Sequence, residues 1–295
     1  MADLLWYQYA LIGLIFTWSG FVRSGLGFGG AVLSLPFMLM VDNQPLVYLP
    51  LIAVHLLVFS FITVYQNHRK AKKNDQAGNT QAAGLQEQNS TIAWPYLRFA
   101  LSVIIVPKLV GIFGLITLPA HIMSSIIFTI VAAYSITYVL NKPFKSNNRW
   151  LDIIFLMLGG YISGTSLIGA PLIIAVLATH VAKHQLRDTL FVLWFILVLF
   201  KMAAFIWAQV DLQLIHHLWL LPCATIGHLI GLRVHNYLLH SETATFYRIL
   251  GSVLLVVSLL GLYQGLQTSP PSGSETTSNE LQSLRQPSLK VALTT

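Results

Sequence analysis

Ser24-Gly25-Leu26-Gly27-Phe28-Gly29-Gly30-Ala31 is a glycine-rich stretch inside apolar sequence, and Ser163-Gly164-Thr165-Ser166-Leu167-Ile168-Gly169-Ala170 is its partial copy. At a constant offset of 139 residues the two match at Ser24/Ser163, Gly25/Gly164, Gly30/Gly169 and Ala31/Ala170, and a proline follows each, Pro36 and Pro171. Such runs predict a break in regular helix at membrane depth. Backbone that leaves a helix inside a bilayer finds no water to bond, so it persists only when buried in protein or lining a polar cavity. Two such breaks, one in each half, are the sequence pointer to a transporter's binding site.

Composition sets the surroundings of these breaks. The 295 residues are 55% hydrophobic and only 9% charged, with a mean hydropathy of +0.69, whereas soluble domains carry about a quarter charged residues. Apolar runs long enough to cross a hydrocarbon core of about 30 Å recur along almost the whole chain. The expected fold class is therefore all-α integral membrane. Met1-Ala2-Asp3-Leu4-Leu5 has no basic region and no cleavage site, so no signal peptide is expected. The single cysteine, Cys223, excludes an intrachain disulfide. The net charge of +7 is read as membrane topology and not as a nucleic-acid surface.

In order, residues 4–20 and 29–41 flank the first break, each too short at about 1.5 Å per residue to cross alone. Spans are expected at 46–65, 96–118, 122–140, 190–210, 214–237 and 246–266, with a second broken segment over 150–181. This makes about eight hydrophobic segments. Residues 66–93 read as a polar cytoplasmic loop and 268–295 as a disordered tail rich in Ser, Thr, Pro and Gln.

Charge decides how the broken segments run. Arg69, Lys70, Lys72, Lys73 and Arg98 bracket the long loop, which the positive-inside rule places in the cytoplasm. The next clusters are Lys142/Lys145/Arg149, Lys183/Arg187 and Arg233/Arg248. All four groups fall inside only if both broken segments are re-entrant hairpins that return to their own side. Each half, 1–140 and 141–267, then holds a hairpin plus three spans, and the odd number of crossings inverts one half relative to the other.

Three cations lie deep in apolar sequence: Arg23 at the first break, Lys108 after Pro107, and Lys201. No Asp or Glu is comparably deep; Asp42, Asp152, Asp188 and Asp211 lie near segment ends. A lone buried cation costs several kcal/mol without a partner or a wet cavity. The missing partner is read as an anionic substrate. Helices restarting at Gly29 and Gly169 would turn free N–H groups and the positive ends of their dipoles to the same place. Gly25, Gly27, Gly30 and Gly164 let backbone approach a ligand, and Ser24, Ser163, Thr165 and Ser166 offer hydroxyls. His55 and His228, inside spans, can relay protons or donate to an anion. Gly20, Gly111, Gly114, Gly227 and Gly231 read as helix-packing positions. His180 and His184 have the spacing of a metal pair but no visible third ligand, so neither metal nor cofactor is expected.

Gly20-Phe21-Val22-Arg23-Ser24-Gly25-Leu26-Gly27-Phe28-Gly29-Gly30 followed by Pro36 resembles the first signature of the sulfite exporter TauE/SafE family. Gly159-Gly160-Tyr161-Ile162-Ser163-Gly164 through Gly169-Ala170-Pro171-Leu172 is similar to its second, and Ile226-Gly227-His228-Leu229-Ile230-Gly231-Leu232-Arg233 to a later small-residue pattern. The resemblance implies a multi-pass transporter of two related halves for sulfite, sulfonates, other sulfur oxyanions or small organic anions. Thr165, Ser166 and Ile168 stand where the first copy has Leu26, Gly27 and Gly29, so the two half-sites are chemically unequal. Lys108 replaces a residue that is usually small or apolar in the family.

The sequence thus predicts a non-enzymatic carrier of a small anion, working by alternating access in a bacterial plasma (inner) membrane. Its partners are the anion and the bilayer, with the oligomeric state open, a homodimer included. A passive anion channel shares every charge argument. An intramembrane hydrolase using Ser24 or Ser163 with His55 or His228 is the enzymatic rival, disfavoured because the serine occurs in both halves.

Overall fold

In the computed structural model of the chain, the described residues are 4–26, 30–76, 92–142, 144, 146, 148–240 and 243–267. They form ten α-helices, and no strand occurs among them. These are α1 (Trp6–Leu26), α2 (Gly30–Val41), α3 (Pro45–Gln76), α4 (Trp94–Thr117), α5 (Ala120–Val139), α6 (Arg149–Ser166), α7 (Ala170–His180), α8 (Lys183–Trp207), α9 (His217–His240) and α10 (Thr243–Gln267). Among the described residues, five stretches are long and apolar enough to cross a membrane: Pro45–Thr63, Trp94–Thr117, Ala120–Val139, Gln185–Trp207 and Leu214–Arg233. Large apolar side chains such as Val106, Phe113, Leu218 and Val256 point outward, a surface suited to lipid and not to water. The protein is an all-α integral membrane protein.

The two broken segments fold back on themselves. At 12 and 11 residues, α2 and α7 are only about 17 Å long and too short for the bilayer core. Gln8 Nε2 donates to Val41 O at 3.1 Å, tying the start of α1 to the end of α2. His180 Nε2 lies 2.8 Å from Asp152 Oδ2, tying the end of α7 to the first turn of α6. Each pair is therefore an antiparallel helical hairpin.

Two local expectations are corrected. The helix was expected to break at the glycine-rich stretch, yet α1 stays helical through Leu26 and α6 through Ser166. In dry surroundings continued helix is the cheapest way to satisfy the backbone, so in the second half the irregular segment shrinks to residues 167–169. Of the residues assigned to the first break, Gly27 and Gly29 lie outside the described residues. Residues 66–76, expected to be part of a loop, are helical instead, because α3 continues through Gln76. Gln, Arg, Lys and Ala dominate that extension and are good helix formers. Residues 77–91 and the tail 268–295 also lie outside the described residues.

Packing between helices follows a repeating pattern: α1 lies on α9, α6 on α4, α5 on α10 and α3 on α8. Exchanging α1–α5 with α6–α10 leaves that set unchanged. Directions follow from facing residues. Gly13 meets Trp219 and Gly20 meets Ala224, so α1 and α9 run parallel; Gly160 meets Ile104 and Gly164 meets Lys108, so α6 and α4 do as well. Gly251 faces Tyr138 and Gly265 faces Ser125, so α5 and α10 run antiparallel. A methyl at Gly20, Gly227, Gly111 or Gly164 would overlap the facing backbone carbonyl, so these glycines set the close approach of both parallel pairs. Gly114 does not share this role, since its nearest neighbour is Leu118 at 4.0 Å.

Candidate functional site

The tips of the two hairpins meet at a cavity of about 40 Å³. Arg23 and Ser163 line it from the last turns of α1 and α6, and Gly30, Ala31 and Ala170 from the first turns of α2 and α7. Ser60 of α3 adds a hydroxyl, and Leu56, Leu167, Phe191, Trp194 and Val198 close the remaining walls. A water occupies roughly 10–15 Å³ on this measure, so the space suits a few waters or one small oxyanion.

The local chain explains why two helix N-termini converge here. Helix α6 ends at Leu167, held in left-handed backbone with φ 61, whose N–H reaches Ser163 O at 3.2 Å. Gly169 then caps the start of α7 against α6, where a methyl group would overlap Gly159 O. Gly30 packs less tightly, a methyl there coming within 3.0 Å of Ser19 Oγ and 3.2 Å of the Arg23 stem. Each N-terminus carries roughly half a positive charge, and Arg23 adds a full one. The cavity lining therefore concentrates about two positive charges, and no acidic residue is among the residues that line it.

Arg23 is held from behind. Its Nη1 donates to His55 O at 3.1 Å, and its guanidinium carbon lies 4.2 Å above the Phe59 ring. Both contacts leave the cation without a carboxylate. His55 Nδ1 faces Leu51 O at 2.7 Å, so the histidine contributes a positioning carbonyl and does not itself line the cavity.

The two lysines do something different from what depth in the sequence suggested. Lys108 is 1% and Lys201 0% exposed. Lys108 Nζ donates to Ser163 Oγ at 2.9 Å and to Ser163 O at 3.3 Å, and Lys201 Nζ donates to Gly164 O at 2.7 Å. Both cations thus satisfy carbonyls at the C-terminal turn of α6, where orphan acceptors and the negative end of the dipole gather. Their expected lack of a partner is corrected: the partner is backbone. Neither lysine lines the cavity.

The remaining hydroxyls divide in the same way. Thr165 Oγ1 and Ser166 Oγ both donate to Ile162 O, at 3.0 and 2.9 Å, as buried hydroxyls on helices often do. They point back along their own helix. Ser24 Oγ shares a hydrogen bond with His228 Nδ1 across the α1–α9 contact. Ser163, its counterpart in the second half, is met by Lys108 across α4–α6. Each matched serine therefore ties its hairpin to the parallel partner helix. Ser24 does not line the cavity, and no carboxylate bonds His228 among the described residues, so the pair lacks the third group that orients a catalytic histidine. Gly25 and Gly164 fall in the same helical turns as these serines.

Ser60 and the wall residues Phe191 and Trp194 escaped the sequence reading. Ser60 sits between Phe59 and Phe61 in a continuous apolar helix, and nothing in the pattern says which way it faces. Asp152, placed near a segment end, is 5% exposed and bonded to His180, the histidine considered with His184 for a metal pair.

A model of a known family, Sulfite exporter TauE/SafE, matches residues 11–261, from within α1 to within α10. The chain belongs to the sulfite exporter TauE/SafE family. The match takes in the first hairpin from Leu11 onward, the whole of the second, and every residue of the cavity. TauE/SafE proteins are a transporter family, which fits a multi-pass membrane protein with a cationic pocket at its centre. No curated protein and no solved structure matches the chain.

Proposed function

We propose that this TauE/SafE chain is a secondary transporter that binds one small anion between the tips of its two hairpins and moves it by alternating access. The observation that carries the reading is the convergence of Arg23 with the N-termini of α2 and α7 on one cavity without an acidic lining residue. An anion there exchanges its hydration for fixed donors: the guanidinium, the first amides of α2, the Ala170 amide, and the hydroxyls of Ser60 and Ser163. Pro171 has no N–H to offer, so the α7 side binds through Ala170 and Ser163. The apolar remainder and the small volume favour compact oxyanions such as sulfite or a short sulfonate over bulky organic acids.

The packing symmetry supports the rest of the mechanism. Residues 1–140 and 141–267 form two repeats, and the antiparallel run of the equivalent helices α5 and α10 supports their inversion. Hairpin α1–α2 opens toward one face of the membrane and α6–α7 toward the other, in the plasma (inner) membrane of a bacterium. Alternating access then amounts to moving one hairpin tip away from a site the other tip still holds. Lys108 and Lys201 keep the α6 tip rigid, while Ser24 with His228 anchors α1.

The test is uptake into liposomes of purified protein, with sulfite, thiosulfate, sulfate, isethionate, sulfoacetate, lactate and chloride as the panel. Saturable uptake of a small oxyanion that is lost in Arg23→Ala supports the reading. A folded protein that takes up none of them refutes it.

A further inference from the structure

A second polar site lies at the far end of hairpin α6–α7, away from the tips. A cleft of about 640 Å³ opens there between the starts of α4 and α6 and the end of α7, lined by Tyr96, Phe99, Ser146, Asp152, Thr179 and His180 among others. Three oxygen atoms on its lining residues are buried without a hydrogen-bond partner among the described residues: Asp152 Oδ1, Tyr96 OH and Ser146 Oγ. Asp152 and Ser146 are 5% and 6% exposed. A buried polar atom left unpaired costs about 1–3 kcal/mol, so three around one opening is a costly arrangement unless something binds there.

The pseudo-symmetry shows that the hairpin does not need these groups. The positions matching Asp152 and His180 at the 139-residue offset are Gly13 and Val41. In the first half Trp219 of α9, the counterpart of Tyr96 at the start of α4, lies against Gly13. The same hairpin base is thus built once from glycine, valine and tryptophan, and once from aspartate, histidine and tyrosine. Architecture alone accounts for the first set only.

The chemistry of the second set selects a ligand. His180 Nε2 engages Asp152 Oδ2 at 2.8 Å and stacks on Tyr96 with ring centroids 4.9 Å apart. This holds the carboxylate and the phenol in place and leaves Oδ1 free. The unpaired atoms are all oxygens, they carry a single carboxylate charge, and the one guanidinium at the cleft, Arg149, is on an exposed residue. Oxygen donors suit hard cations, and divalent ions ordinarily gather more than one carboxylate. We infer that the cleft formed by Asp152, Tyr96 and Ser146 binds a hard monovalent cation, sodium. Binding there does not depend on the anion reading; coupling of that cation to anion movement does.

The experiment is thermal unfolding of the full chain in detergent, with sodium chloride replacing choline chloride at constant ionic strength. The expected result is a midpoint that rises with sodium and saturates, with half-saturation moved roughly tenfold or more upward in Asp152→Asn and in Tyr96→Phe, the loss expected for one or two ligand contacts. Tyr96→Phe removes a single hydroxyl and carries the test if Asp152→Asn does not fold. Equal midpoints in sodium and choline, an equal response to methylammonium, or unchanged half-saturation in Tyr96→Phe overturns the assignment. Sodium stabilisation of a protein that takes up no anion upholds the cation site and removes the transport reading.

Discussion

Replacing Arg23 with glutamine keeps most of the side-chain volume and a donor for His55 O, while removing the one full charge on the cavity wall. A unit charge about 4 Å from a bound anion contributes about 4 kcal/mol at an effective dielectric of about 20, and each helix N-terminus about half as much. The substitution therefore removes about half of the electrostatic attraction. At 1.4 kcal/mol per decade this is roughly a thousandfold rise in the anion concentration for half-maximal uptake. The assay is a concentration series of the best panel anion in liposomes, on protein shown to be monodisperse and to unfold cooperatively. A half-saturation within about threefold of the unsubstituted protein refutes the placement of the anion at Arg23, because no other full charge lines the cavity to compensate.

Other substitutions separate binding from bracing. Lys108→Met strips Ser163 Oγ of its lysine donor and Lys201→Met does the same to Gly164 O, and each is expected to lower stability by about 1–3 kcal/mol while shifting half-saturation less than about tenfold; thermal unfolding beside uptake reads both. Gly227→Ala forces a methyl into the Thr17 carbonyl and is expected to cost about 1–3 kcal/mol, whereas Gly114→Ala, with open space, stays within about 0.5 kcal/mol; urea or thermal midpoints decide. With Cys223→Ala as background, Ser125→Cys with Gly265→Cys is expected to form a disulfide on mild oxidation, seen as a gel-mobility shift, and Ser125→Cys with Gly251→Cys is not. The opposite outcome would reverse α10 against α5 and remove the inversion.

The depth of the cations and the matched glycine stretches were legible in the sequence, because a charge or a helix break in hydrocarbon has few permitted explanations. Facing was not legible. Arg23 and Lys108 look alike as isolated cations in apolar helices, yet Arg23 meets the cavity and Lys108 meets Ser163 O. On a helix that is apolar all round, hydrophobic periodicity carries no information about direction, which is also why Ser60 was missed. The extent of the breaks was overestimated for a related reason. Glycine and serine lower helix propensity in water, but in α1 and α6 close helix contacts and the absence of competing solvent outweigh that preference. Asp152 read only as a residue near a segment end, because its neighbours Tyr96 and His180 are distant in sequence and near only after the hairpin closes.

The exchange of partners between halves bears on how the chain is made. Helix α1 finds its main neighbour in α9, some two hundred residues later, and α4 serves as neighbour to α6 across the boundary between repeats. Neither half can complete its own core. During synthesis the first hairpin enters the bilayer with the face destined for α9, including Gly20 and Ser24, turned to lipid or to a membrane chaperone. Closing such distant contacts is slow, and the unpaired hairpin is exposed to quality-control proteases for that whole interval. Truncation after residue 140 should therefore leave an inserted but unassembled fragment, and supplying residues 141–295 as a separate chain should rescue it by docking two interlocked pieces.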